Sequence, residues 1–201
     1  MTTPSRLSLS VTLAVTLAAL APAAAIAAPG TAVVSSASPS LGAPVGGLDF
    51  SGLLSLEIPP SFYTVGPRLS AEVMYSVMDL APNVRLKLGG RAAIAYHSGD
   101  FNSSLWTFDA VPDVKIAFAA TDLLALYGDV GLGLAVMHFS QDTNFGSVSD
   151  TSLALAFQVG AGLAYTLNPS VNLLGEVRFD VYSRSGSSTF VSIPTVGLQF
   201  H

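Results

Sequence analysis

From Leu48 to Phe200 the chain alternates apolar and non-apolar side chains residue by residue, in eight runs separated by breaks. The run 84–97 displays the pattern best. Val84, Leu86, Leu88, Gly90, Ala92, Ile94 and Tyr96 fall on one face; Arg85, Lys87, Gly89, Arg91, Ala93, Ala95 and His97 fall on the other. A strand projects successive side chains to opposite faces, so this run is greasy on one side and carries three cations on the other. Every run repeats the scheme, which predicts strands at 48–58, 67–78, 84–97, 105–119, 123–139, 151–167, 171–183 and 188–200. The architecture that satisfies all of them is an all-β, eight-stranded antiparallel up-and-down transmembrane barrel, with lipid outside and a polar interior.

The apolar face of the eight runs contains no charged residue. Half of the residues are apolar and 10% are charged, against roughly 25% charged in soluble domains. Past the first segment, no stretch reaches the about 18 uninterrupted apolar residues of a spanning helix, because Asp109, Asp113, Asp122, Asp129, Glu176 and Asp180 interrupt. A soluble ligand-binding barrel with inverted faces would expose over thirty apolar side chains to water, far beyond what soluble monomers tolerate. Aromatic residues gather near the strand ends. Tyr96, Trp106, Phe108 and Phe190 form one expected girdle, and Phe50, Tyr75, Phe118, Tyr165 and Phe200 the other.

The amino terminus reads as a secretory signal over 1–27. Arg6 lies in a short basic start, Leu7 to Leu20 is apolar, and Ala25-Ile26-Ala27 is a small-residue cleavage site. Removal of Arg6 with the signal leaves seven basic and thirteen acidic side chains. No basic patch points to nucleic acid. Residues 28–47 are small and rich in Pro, Gly and Ser, and predict a flexible periplasmic tether; the barrel then occupies 48–201. With no cysteine in the chain, neither a disulfide nor lipid attachment through cysteine is available. The breaks at 79–83, 120–122 and 168–170 are tight. Those at 59–66, 98–104, 140–150 and 184–187 predict longer, outward-facing loops, which puts both termini on the periplasmic side.

The inner face is expected to hold a charge network. Arg85, Lys87, Arg91, Lys115 and Arg178 stand among Glu72, Asp113, Asp129, Glu176 and Asp180. Asp49, Glu57, Arg68, Asp109, Tyr127 and Gln158 share that face. Eight strands enclose an interior that side chains fill, and an unpaired buried ion costs several kcal/mol. A structural polar plug is the favoured reading. The alternative is a narrow porin-like channel, with Arg91 and Glu176 as gate candidates.

On these residues the chain resembles the OmpA-type or OmpX-type eight-stranded outer-membrane β-barrels. The most specific element is the end, where Val196, Leu198 and Phe200 alternate up to a closing aromatic and His201 follows. It is similar to the carboxy-terminal signal read by the barrel-assembly machinery. Pro194 cannot donate to a ladder, so a bulge or a gap in pairing is expected there. The resemblance implies Sec export to the outer membrane of a Gram-negative-type bacterium, and surroundings of outer-membrane lipid and lipopolysaccharide. A monomer with a structural or surface-interaction role is expected.

Some small barrels of that membrane are lipid A hydrolases. His138-Phe139-Ser140 resembles the His-x-Ser arrangement of the lipid A deacylases, with Gln141 where that family has asparagine. A hydrolase also needs a carboxylate behind the histidine, and only Asp142 and Asp150 are near in sequence. The pair therefore reads as part of an interfacial belt, and no catalysis is expected. His97-Ser98-Gly99-Asp100 reads as a turn. No metal-ligand spacing, phosphate loop or GxSxG elbow occurs, so no cofactor or metal is expected. The glycines at 131, 133, 160 and 162 alternate within strands and predict relief of crowding inside the barrel.

Overall fold

A computed structural model describes residues 39–59, 63–143, 146–184 and 186–201. The signal and the first part of the tether lie outside the described residues. A single 3-10 turn, Pro39–Leu41, precedes eight strands: β1 (Leu48–Ile58), β2 (Gly66–Ala81), β3 (Val84–Gly99), β4 (Ser103–Ala119), β5 (Leu124–Thr143), β6 (Gly146–Asn168), β7 (Val171–Arg184) and β8 (Gly186–Phe200). They close in sequence order into one barrel, every neighbouring pair antiparallel, with β1 meeting β8. Closure removes the sheet edges that a membrane would otherwise leave unsatisfied.

The alternation holds strand by strand. β1 reads exposed–buried without a break over its 11 residues, and the outward set includes Phe50, Leu54, Leu69, Ile94, Phe108, Val130, Leu155, Phe179 and Leu198. All fifteen polar or charged residues expected inside are buried there, together with Tyr127.

Phe190 is a correction. It was expected on the lipid face and is fully buried inside. The cause is one extra residue in β8. Ser55 pairs with Thr195 but Glu57 with Ser192, and the same slip appears against β7 between Glu176 and Arg178. This is the bulge expected at Pro194. A one-residue shift moves every later side chain to the opposite face. Val196, Leu198 and Phe200 therefore face lipid while Ser192 and Phe190 face inward.

Three of the four long loops are also corrected. β3 and β4 pair out to Gly99 and Ser103, β5 and β6 out to Thr143 and Gly146, and β7 and β8 out to Arg184 and Gly186. The polar residues expected as loop continue the ladders, and β4 stays paired with β5 out to Ser103 and Gln141. Between β1 and β2, residues 59–65 stand outside the named strands. This connection is tied to β3 by a bridge from Tyr63 to Gly99 and by Thr64, whose amide and hydroxyl both donate to the Ser98 carbonyl.

The last part of the expected tether is not free chain. Ser40, Leu41 and Ala43 are buried, with Leu41 in an apolar cluster with Leu53, Ala117, Ala125, Tyr127 and Leu174 at the end of the barrel nearest the termini. Gly42 has φ +81°, and a Cβ there would lie 2.7 Å from Asp49 Oδ1 and 2.8 Å from Lys87 Nζ. Glycine alone lets the chain cross that ion pair.

Candidate functional site

The interior is a stack of three charge layers. Nearest the termini, Lys87 Nζ lies 2.5 Å from Asp49 Oδ2, and Arg85 pairs with Asp79 at 2.7 Å. Arg85 also donates to the Ala43 carbonyl at 2.6 Å, while the Ala43 amide donates to Asp49 at 2.7 Å. The segment before β1 is thereby fastened across the lumen. His201 lies just beyond β8, its amide donating to the Ser170 carbonyl. Burial pushes its imidazole below the ordinary range, against the opposing pull of Asp49.

The middle layer is the densest. Arg91 bonds Glu72 and, at 2.7 and 3.1 Å, both oxygens of Glu176. Lys115 bonds Glu72 and sits 4.7 Å from the centre of the Tyr127 ring. Arg178 joins Glu176 at 2.9 Å to Asp129 at 2.6 Å, and Tyr127 donates to Glu176 at 3.2 Å. The strands supply room for these groups. A Cβ on Gly160 would fall 2.7 Å from Asp129 Oδ1, and one on Gly162 would fall 2.6 Å from the Tyr127 hydroxyl, so the interior glycines relieve crowding as expected. Asp113 belongs to this layer by position but accepts no hydrogen bond from a described residue.

Toward the hairpins a third layer gathers around Arg68, beyond the ten residues of the expected network. Arg68 contacts Glu57 at 2.6 Å, Asp109 at 2.8 Å and Asp180 at 3.5 Å. Tyr182 accepts from Arg68 and donates to Asp109, both at 2.9 Å. Gln158 donates to Asp109 at 3.0 Å. The expected turn begins only after Gly99, and His97, the last inner-face residue of the run 84–97, is fully buried in β3. Its Nε2 lies 3.0 Å from Glu57 and its Nδ1 3.3 Å from the Thr64 carbonyl, linking the interior to the β1–β2 loop. Continuing the period-two parity of β7 and β3 finds both Tyr182 and His97. Phe190 closes this layer, its ring 4.9 Å from Tyr182 and 5.8 Å from His97.

Among the described residues, six lysine and arginine side chains and eight carboxylates are buried in the barrel. An ion pair removed from water repays its desolvation only with close geometry and further hydrogen bonds. Most of these groups meet that condition by sharing partners within a layer.

His138 and Ser140 are brought onto one outer face but not to each other as partners. His138 Nδ1 bonds Thr151 Oγ1 at 2.8 Å, and Ser140 Oγ bonds Ser104 Oγ at 2.9 Å. Each takes its partner directly across the ladder: His138 opposite Thr151, Ser104 opposite Ser140. Asp150 pairs with Phe139 and so lies on the other face from His138. Asp142 is on the same face, four residues along. No carboxylate hydrogen-bonds His138 among the described contacts.

The registers place these residues in rows on the outer face of β3–β6. The lowest is Ile94, Phe108, Val136 and Leu153. Next comes Tyr96, Trp106, His138 and Thr151, and above it Ser98, Ser104, Ser140 and Ser149. The Tyr96 and Trp106 rings are 4.7 Å apart. The Asp142 amide donates to the Asn102 carbonyl at 3.2 Å, joining the β3–β4 and β5–β6 hairpins into one wall. Apolar, aromatic and hydroxyl rows in this order mark a hydrocarbon-to-water boundary.

A closed antiparallel barrel with an apolar exterior, aromatic rows and an ion-paired lumen is a transmembrane β-barrel. The model of the outer membrane protein beta-barrel domain family matches residues 11–193; the chain belongs to that family, and it is a protein of the outer membrane. No curated protein matches it by sequence. Among solved structures it is similar to Neisserial surface protein A, NspA, at 13% identity, covering 76% of this chain and 94% of that one with a TM-score of 0.51. Two further similar structures are the outer membrane enzyme PagL (20% identity, 76% and 99% covered, TM-score 0.49) and Ail, the attachment invasion locus protein of Yersinia pestis (15%, 76% and 95%, TM-score 0.44). At these identities the likeness is one of fold.

Proposed function

We propose that this protein is a non-conducting barrel that acts from its outer wall and hairpins, in a structural or surface-interaction role, and is not an enzyme. The observation that carries this reading is the filled lumen. Arg68, Arg91 and Arg178 each reach across the interior to carboxylates on other strands, and the segment around Leu41 and Ala43 packs into the end nearest the termini. An eight-stranded circumference has no width left for a continuous water path beside such side chains. The cross-strand bonding of His138 to Thr151 and of Ser140 to Ser104 supports the absence of hydrolysis, since neither is poised as base and nucleophile. The hairpin rim is taken to face the cell exterior and the termini the periplasm.

Planar bilayer recording of the purified protein tests the reading. The expected result is a silent bilayer; stable, reproducible conductance steps would promote the narrow-channel alternative. Mass spectrometry of lipid A from expressing cells is expected to show unchanged acyl chains, and a loss dependent on His138 would establish the hydrolase instead.

A further inference from the structure

We propose that His201 is a pH-sensitive latch, which keeps the segment 39–47 docked across the barrel mouth at neutral pH and loosens it on acidification. The site lies at the end nearest the termini, so it does not rest on the outward-acting reading above. Phe50 pairs with Phe200 across the β1–β8 seam, which sets Asp49 opposite His201. The His201 side chain is 6% exposed and its Nδ1 lies 3.9 Å from Asp49 Oδ1, beyond hydrogen-bond length. Neither ring nitrogen makes a hydrogen bond of good geometry among the described residues. A neutral imidazole sits in such a place at modest cost, whereas a charged one loses its water and gains no hydrogen bond in exchange.

Asp49 Oδ1 is also the oxygen that holds the segment. It accepts from the Ala43 amide at 2.7 Å, and a Cβ on Gly42 would stand 2.7 Å from it. The backbone at 42–43 therefore lies on the same oxygen that His201 faces. The ties around it are cooperative: the Gly46 amide donates to the Ser76 carbonyl at 2.8 Å, and the Ser76 amide to the Gly47 carbonyl at 3.0 Å. The Ser76 hydroxyl and Arg85 both donate to the Ala43 carbonyl, at 3.0 and 2.6 Å. A proton on His201 places a cation against Asp49 Oδ1 in competition with the Ala43 amide, and undocking of the segment uncovers both side chains.

The charged groups facing the imidazole are Asp49 of β1 and Lys87 of β3, themselves paired at 2.5 Å. Arg85 and Asp79 of the same layer bond each other at 2.7 Å. From β7 and β8 the mouth receives Asn172 and Gln199, which are neutral and bonded at 3.1 Å. Burial is the largest influence on His201 and Lys87 adds to it; Asp49 and the Pro169 backbone pull the other way and are outweighed. The docked form thus takes its proton below the ordinary histidine value of about 6.5, which the undocked form regains. Docking is full above that value and weakens as the pH falls through it.

Hydrogen exchange of the folded protein in alkyl-phosphocholine micelles, read by mass spectrometry and corrected for the intrinsic rate at each pH, tests the latch. From about pH 7.5 to about pH 5, either side of the ordinary histidine value, protection over 39–47 is expected to fall about threefold or more while that of β3–β6 holds. His201→Gln keeps a neutral polar side chain, and is expected to retain full protection at both values; His138→Gln is expected to show the wild-type fall. Carbon-13 resonances of labelled histidine supply a second reading on the wild-type protein, with the other two rings assigned through His97→Gln and His138→Gln. The His201 ring is expected to titrate below about 6.5. Protection of 39–47 that ignores pH, a fall that persists in folded His201→Gln, or a His201 ring that titrates at or above the ordinary value would each overturn the proposal.

Discussion

Arg91 holds two carboxylates that lie on different strands, Glu72 of β2 and Glu176 of β7, and so ties opposite sides of the lumen together. Its replacement by Met keeps much of the volume and leaves the middle layer with two cations for its carboxylates. Breaking a buried pair in this way costs about 3–5 kcal/mol. Urea unfolding followed by Trp106 emission is expected to show a clearly lower midpoint for Arg91→Met, and little change for Asp100→Asn at the exposed hairpin tip. An unchanged midpoint for Arg91→Met would mean that the layer does not stabilise the barrel. Which residues face inward was legible from parity alone, as Arg85, Lys87 and Arg91 on alternate positions of one run illustrate. Which of them bond was not legible, because pairing depends on register across strands. Asp113 shares the face yet takes no described partner, while His97 and Tyr182, with no motif around them, complete the layer beneath the hairpins.

At the scale of elements, the ladders run further than hydropathy indicates. The β5–β6 ribbon is built from Ser, Thr, Asp and Gly, which read as loop because both of its faces meet water above the rim and no apolar alternation remains to mark it. The bulge in β8 is the opposite case. Proline in a strand signals a break in pairing, but the inversion of Phe190 follows only once the extra residue is counted against β1 and β7. Deletion of Pro194 removes that residue and is expected to force Phe190 and Ser192 to the lipid face or to misalign Val196, Leu198 and Phe200. Cells expressing the deletion should yield little heat-modifiable protein, and normal amounts of folded barrel would contradict the role of the bulge. The segment before β1 has the composition of a tether because small residues carry no periodicity; the order of its last part, from residue 39, comes from Leu41 packing and from bonds to Asp49 and Arg85. Gly42→Val imposes a β-branched side chain at φ +81° over the Lys87–Asp49 pair. Limited proteolysis is expected to cut the variant faster around 39–47 while the barrel remains intact, and equal protection would show that the segment is not held by this turn.

For the whole molecule, the charge-free alternate face was sufficient to reach the barrel, since only closure in lipid satisfies eight such strands at once. Orientation rests on the polar hairpins and the termini lying at opposite ends. The absence of cysteine allows single thiols to report it without background. Cysteine placed at Ser149, on the exposed β5–β6 ribbon, is expected to react with a membrane-impermeant maleimide on intact cells. Cysteine placed at Asn83, in the β2–β3 turn, is expected to react only after the outer membrane is opened. Labelling of Asn83→Cys but not Ser149→Cys on intact cells, or equal labelling of both, would contradict a barrel that spans the outer membrane with its hairpin wall facing outward.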